Sequence, residues 1–303
     1  MRRTILGICA GFLLLSGEAL AGGKPGPVPH AKAATPAMWT IHGAQGTVYM
    51  LGSIHALPKN IKWQTPQLMT ALNQADTFVF EVPMNAESRA KAVEYFRQNA
   101  LLPRGLALPS MFDSEMRSDF RQVVMLTHAD PSFVVYMRPW LAALVLEGAA
   151  TGTDALYPAE GVDNKVYGMA KGRGVTQFRA LERDEDQFRL FIKDGHEADE
   201  VADLRLVFKD ILSNHGADGK PLLDAWVHGD TKAIARLVPE NKATTAEFRK
   251  AWIEDRNRKW VPQIEAMLNE KHTFFVTVGA AHLVGKTGVP NLLRAAGYRV
   301  EGR

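Results

Sequence analysis

Residues Thr273–Thr287 read TFFVTVGAAHLVGKT, and the fold turns on how this stretch is taken. Its first part, Thr273–Val278, is a run of β-branched and aromatic side chains that suits a buried strand. The run breaks at Gly279 and presents His282. The same arrangement stands near the other end of the chain, where Thr47–Pro58 reads TVYMLGSIHALP. That strand-like run breaks at Gly52 and presents His55. More than 200 residues separate the two histidines, so a chain that uses both must fold its ends together.

Working outward, Met38–Ile41, Thr77–Val82, Val175–Leu181 and Tyr298–Glu301 are further strand-like runs. Glu81 sits within one of them, where a carboxylate needs an exposed face or a partner. The middle carries helix-like apolar spacing over Ala86–Asn99, Ser110–Leu126, Pro131–Ala150 and Glu160–Lys171. Asp184–Ile192, Glu197–Leu212, Leu222–His228 and Thr244–Leu268 follow. Strands alternating with helices at both ends predict an α/β fold: a central mixed sheet built from both ends of the chain and flanked by helices. The helical middle is then a cap on that sheet, and residues 38–303 form one domain.

The chain has 303 residues, 46% of them hydrophobic, which is enough for a large core. Arg2, Arg3, the apolar Ile5–Leu15 and Ala19-Leu20-Ala21 make the three-part pattern of a secretory signal peptide over residues 1–21. Residues 22–37, rich in Gly, Pro, Ala and Lys, read as a disordered leader. The expectation is a periplasmic or secreted protein with no membrane span in the mature chain, since Arg138, Pro139 and Glu147 interrupt its longest later apolar stretch. The sole cysteine, Cys9, lies inside the signal, so a thiol nucleophile is excluded. A formal charge of +3 with both signs interspersed gives no basic stripe for nucleic acid.

Ala280–Thr287 approaches a phosphate-binding loop but has alanine in place of its first glycine, and only one short strand remains downstream to complete such a site. No Gly-x-Ser-x-Gly elbow occurs. His196-Glu197 opens like a zinc-protease signature but has Glu200 where the second histidine belongs. That leaves His55, His282 and Glu81, each at or just past the C-terminal end of a predicted strand, where ligands of open α/β sheets gather. Glycine three residues before each histidine lets the backbone turn sharply. Two imidazoles and a carboxylate can hold a divalent metal with a position open for water. For each histidine taken singly, a hydrogen-bonded structural role is the ordinary alternative. Arg256-Asn257 reads as a solvated helix face, Asp163 as a helix N-cap, and Trp252 and Trp260 as core packing. Arg138, inside an apolar run, requires a partner.

LGSIHALP, FEVP, GVDN, LERDEDQ, AWVHGD, DRNRKWVPQIEAML and VTVGAAHLVGKTGVPNLLRAAGYRV, in that order, resemble the TraB/PrgY/GumN family over Trp39 to Glu301. The family includes the Tiki proteases. The resemblance implies a sheet flanked by helices, like that of erythromycin esterases and haem-binding ChaN proteins. It implies metalloprotease-like hydrolysis of a peptide or protein substrate with manganese or cobalt, zinc being possible on donor type. It carries the metal to His55, His282 and Glu81, and a catalytic role to Glu81, Arg256 and Asn257. Asp255 and Val162 stand where the family commonly has Glu and Ile. The rival expectation is a non-catalytic envelope protein holding haem, a peptide signal or a protein partner in the same pocket. Nothing in the sequence sets the oligomeric state.

Overall fold

The structure, a computed structural model, describes residues 34–59, 61–150, 157–190, 197–213, 220–237 and 249–302. The expected signal peptide, residues 1–21, and most of the expected leader, residues 22–37, lie outside them. Among the described residues six strands form one sheet: β1 (Met38–His42), β2 (Thr47–Ser53), β3 (Thr77–Phe80), β4 (Gln177–Ala180), β5 (Thr273–Gly279) and β6 (Arg299–Gly302). Their order is β4-β3-β5-β2-β1-β6. Helix α1 (Pro66–Gln74) follows β2. Between β3 and β4 come α2 (Ala86–Asn99), α3 (Ser114–Thr127), α4 (Pro131–Val134), α5 (Pro139–Ala150) and α6 (Val162–Gly172). Between β4 and β5 come α7 (Asp184–Phe188), α8 (Glu197–Ser213), α9 (Lys220–Val227), α10 (Thr231–Leu237) and α11 (Asp255–Leu268), and α12 (Val289–Ala295) precedes β6.

Strands β4, β3, β5 and β2 are parallel, whereas β1 runs antiparallel to both β2 and β6. The α/β architecture read from the sequence is therefore present, with the late strand β5 seated between β2 and β3. Parallel strands joined by helical crossovers are covered on both faces, which is why β3 and β5 read as continuous apolar runs. Every residue of β3 is buried, as is every residue of β5 after Thr273. Phe78 and Phe275 stack across that pair with ring centroids 5.8 Å apart.

Several expected elements differ in extent, each for a local reason. The third strand stops at Phe80, one residue before Glu81 turns into the pocket described below. The helix expected over Pro131–Ala150 splits into α4 and α5, because the chain between them leaves the helix to pair Met137 with Leu101 and Arg138 N–H with Ala100 O, and Pro139 opens the second helix. Arg138 at that break finds its partner in Glu200 of α8 at 2.7 Å. The helix expected from Ser110 starts at Ser114, where Asp113 caps it by accepting from the Met116 N–H. The strand expected over Val175–Leu181 contracts to Gln177–Ala180. Ahead of α11 the chain makes a π turn at Lys250–Glu254, while residues 238–248 lie outside the description. Helix α10, which the sequence reading did not anticipate, is capped by the Asp230 carboxylate accepting from Ala233 N–H.

The end of the expected leader is not loose. Ala34 is fully buried and donates its N–H to Lys62 O, and Thr35 donates to Val227 O. No helix among the described residues is long and apolar enough to cross a membrane.

Candidate active site

Parallel strands end on one edge of the sheet, and their registers place those ends side by side. Ser53 of β2 pairs with Gly279 of β5, and Phe80 of β3 with Thr277. The residues that follow, His55, Glu81 and His282, are thus delivered to one place. A Cβ added at Gly279 would lie 3.2 Å from Glu81 Oε1, 3.5 Å from His282 Cδ2 and 3.8 Å from His55 Nε2. All three side chains thus face the space that a side chain at Gly279 would take.

The two glycines serve closeness more than sharp turning. Neither has a positive φ, contrary to the expected reason for them. A Cβ at Gly52 would meet the Ala280 α-carbon at 3.0 Å, so glycine lets β2 pass against the chain leaving β5. The Gly52 carbonyl in turn accepts from Trp226 Nε1 of α9 at 2.7 Å.

Asp163 corrects the reading of it as a helix cap. Gly161 occupies the cap position of α6, and Val162 N–H donates to Ile54 O, fixing the helix start over the His55 loop. Asp163 Oδ2 lies 2.6 Å from His55 Nδ1 and also accepts from the Ser53 hydroxyl. The contact makes Nδ1 the protonated nitrogen and directs Nε2, the basic one, toward Gly279. Burial pushes the His55 pKa down, but the Asp163 charge and hydrogen bond, with Glu81 behind them, carry it above the ordinary value.

Glu81 and Arg256 form the other half. Arg256 Nη2 donates to Glu81 Oε2 at 2.6 Å, and Gly279 N–H donates to Oε1 at 2.6 Å. Gln187 Nε2 donates to Oε2 at 3.3 Å. Burial pushes the Glu81 carboxyl up, yet the Arg256 charge, then the histidines and the Gly279 N–H, hold it down at about 2. Arg256 Nε donates to both oxygens of Glu182, at 2.9 and 3.1 Å, and Nη1 donates to Trp252 O at 3.2 Å. Trp260 lies under the guanidinium at 4.8 Å and donates its own Nε1–H to Glu182 Oε1. The two tryptophans are buried in the core as read, and in addition Trp260 through its ring and Trp252 through its backbone oxygen support the site. So does Arg256, which is not a solvated residue: it is 3% exposed.

His282 is held by Asn257. The Asn257 Nδ2 donates to the backbone oxygens of His282 and Thr287, which leaves Oδ1 to accept from His282 Nδ1–H at 2.7 Å. The His282 Nε2 lone pair then accepts from Arg256 Nη1 at 3.1 Å. Burial first, and the Arg256 charge second, push the His282 pKa down to about 3, so this imidazole is neutral near pH 7. With its amide committed to these partners, Asn257 reaches the pocket through His282.

These residues match a family model for the TraB/PrgY/gumN family across residues 37–302. The chain belongs to that family. No curated protein and no solved structure matches it. As a TraB/PrgY/gumN member it carries both Gly-x-x-His motifs, the acidic strand end and the Arg-Asn pair in one pocket. The sequence reading missed Glu182, Gln187 and Ser53. Glu182 could have been found, because it stands two residues past the end of β4 as Glu81 stands one past the end of β3; the two meet through Glu182 N–H donating to Glu81 O at 2.8 Å.

Whether a divalent metal suits this donor set can be judged from the lone pairs. The donor types are right, but His282 Nε2 and Glu81 Oε2 already face the Arg256 guanidinium, and Glu81 Oε1 faces an N–H. Among the described residues no group of three or more His, Cys, Asp or Glu is arranged to hold a metal. As folded, the pocket does not fit a metal centre.

Proposed function

We propose that this protein is a hydrolase of acyl bonds, ester or peptide, with His55 as general base. The observation that carries the reading is the Asp163–His55 pair, aimed with Nε2 into the cradle at Gly279. A general base works best with its pKa near the operating pH. His55 meets that condition in direction, while Glu81, held at about 2, is too weak a base for the same task. Glu81 instead supplies a fixed negative charge that favours the imidazolium as His55 gains a proton. In the reaction His55 Nε2 takes a proton from water, and the water oxygen attacks the carbonyl carbon. The bond to the leaving oxygen or nitrogen then breaks, and the proton held on His55 passes to the leaving group.

Exposure grades through the pocket from 8% at His55 to 6% at Glu81 and 3% at Arg256 and His282. His55 is thus the most exposed of the four. The signal-like N-terminus supports action outside the cytoplasm, and the family resemblance supports a peptide or protein substrate. The test is turnover of an ester panel and a peptide library by the purified protein, in chelator and in added Mn²⁺, Co²⁺ or Zn²⁺. Turnover that falls at least ~100-fold in His55→Ala and clearly in Asp163→Asn supports the reading. No turnover on either panel, or turnover indifferent to His55→Ala, removes it. A ligand that binds the pocket without turnover would instead favour the non-catalytic role.

A further inference from the structure

The disagreement between donor types and donor arrangement centres on one side chain. We propose that the guanidinium of Arg256 is the built-in cation of this site, standing where the family resemblance places a divalent metal. The pocket would take up such a metal only when that guanidinium is removed. The inference rests on the same pocket as the hydrolase reading but not on hydrolysis.

Three observations carry it. Arg256 bridges two of the three expected ligands, reaching Glu81 Oε2 through Nη2 and His282 Nε2 through Nη1. A metal bound there would have to displace both bonds and sit beside a fixed positive charge in a site of low dielectric, where repulsion is strong. The guanidinium is also not free to withdraw. Glu182 grips Nε with both oxygens, Trp252 O accepts from Nη1, and the Trp260 ring lies against it at 4.8 Å. Glu182 is itself steadied by Trp260 Nε1 at 2.9 Å. Finally, His282 is presented with its Nε2 lone pair toward the guanidinium because Asn257 Oδ1 fixes the proton on Nδ1. That is the tautomer a metal would need, and here an arginine N–H uses it. Remove the guanidinium and His282, Glu81 and His55 remain around Gly279 with an acceptor set suited to Zn²⁺, Co²⁺ or Mn²⁺.

The experiment is metal titration of the chelator-stripped protein, read by thermal stability and by the visible absorption of bound Co²⁺. Wild type and Arg256→Lys, which keeps a cation, should show no shift with up to millimolar metal and no cobalt spectrum. Arg256→Ala should bind Co²⁺ at least ~100-fold more tightly than wild type, with a midpoint that climbs several degrees as metal is added. Adding His282→Ala to Arg256→Ala should abolish both signals. Should Arg256→Ala fail to fold, Arg256→Gln, which keeps polarity and much of the length without charge, is read the same way. A wild-type cobalt spectrum or metal-dependent midpoint that His282→Ala removes would overturn the proposal, as would a folded, uncharged variant that gains no metal. Absence of turnover in every variant, by contrast, bears on the hydrolase reading alone.

Discussion

At the scale of single residues, the pocket sets three titrations against one another. His282 has its pKa lowered from 6.5 to about 3, so in the unfolded chain it takes up a proton at higher pH than in the folded one. Its contribution to stability is complete above pH 6.5 and is lost as pH falls from there toward about 3. Glu81, lowered from 4.5 to about 2, contributes above pH 4.5 and loses that contribution between there and about 2. His55 runs the other way: raised from 6.5, it contributes below that value and loses its contribution as pH rises through the folded pKa. The melting temperature should therefore fall on acidification from pH 6.5. In His282→Asn the part of that fall between pH 6.5 and 4.5 should flatten. An unchanged slope in that variant would show that His282 is not the group responsible. Asn257→Ala should be costly for a different reason, because it strips the acceptor from His282 Nδ1–H and the donor from two backbone oxygens in a dry site. We expect a loss of about 3 kcal/mol, seen as a drop of ~5–10 °C in the melting midpoint.

At the scale of elements, the strand ends were legible because strand and glycine leave a local signature, and both histidines sit where that signature pointed. The partners of those strands were not. Asp163 lies on a helix that crosses the sheet and reaches His55 over 108 positions of sequence, and Arg256 reaches Glu81 over 175. Residue type and local spacing cannot report such pairings, so Arg256 looked like a charged surface residue and Trp260 like filling. The glycines were found for an incomplete reason, since crowding between β2 and the segment after β5 is a contact between distant pieces of chain. That crowding makes two substitutions informative. At Gly52, alanine would press on the Ala280 backbone and cost about 2 kcal/mol of stability. At Gly279, with φ −50° and ψ 136°, alanine is conformationally acceptable, but its methyl would occupy the space facing Glu81, His282 and His55. Gly279→Ala should thus retain most of its melting temperature while turnover drops ~100-fold or more. Equal losses of stability and turnover in both variants would contradict this separation.

At the scale of the whole molecule, the α/β class and the joining of the two ends were readable, whereas the splitting of the helical middle depended on contacts among its own pieces. Among the described residues the sheet ends at β4 on one side and β6 on the other. Strand β6 covers β1 along four residue pairs from Trp39↔Gly302 to His42↔Arg299. Deleting residues from Arg299 onward would leave β1 as a bare edge, and exposed edges recruit other chains. We expect such a truncation to melt lower and to associate with rising concentration, measurable by light scattering; a monomer of unchanged midpoint would speak against it. The central place of β5 has a consequence in time as well. During synthesis β2 and β3 are made early, yet the strand that lies between them emerges after nearly nine-tenths of the chain, and it brings Gly279 and His282 with it. A chain ended before β5 therefore contains His55, Glu81 and Arg256 but lacks Gly279 and His282, and the pocket is completed only as the final segment slots in between β2 and β3.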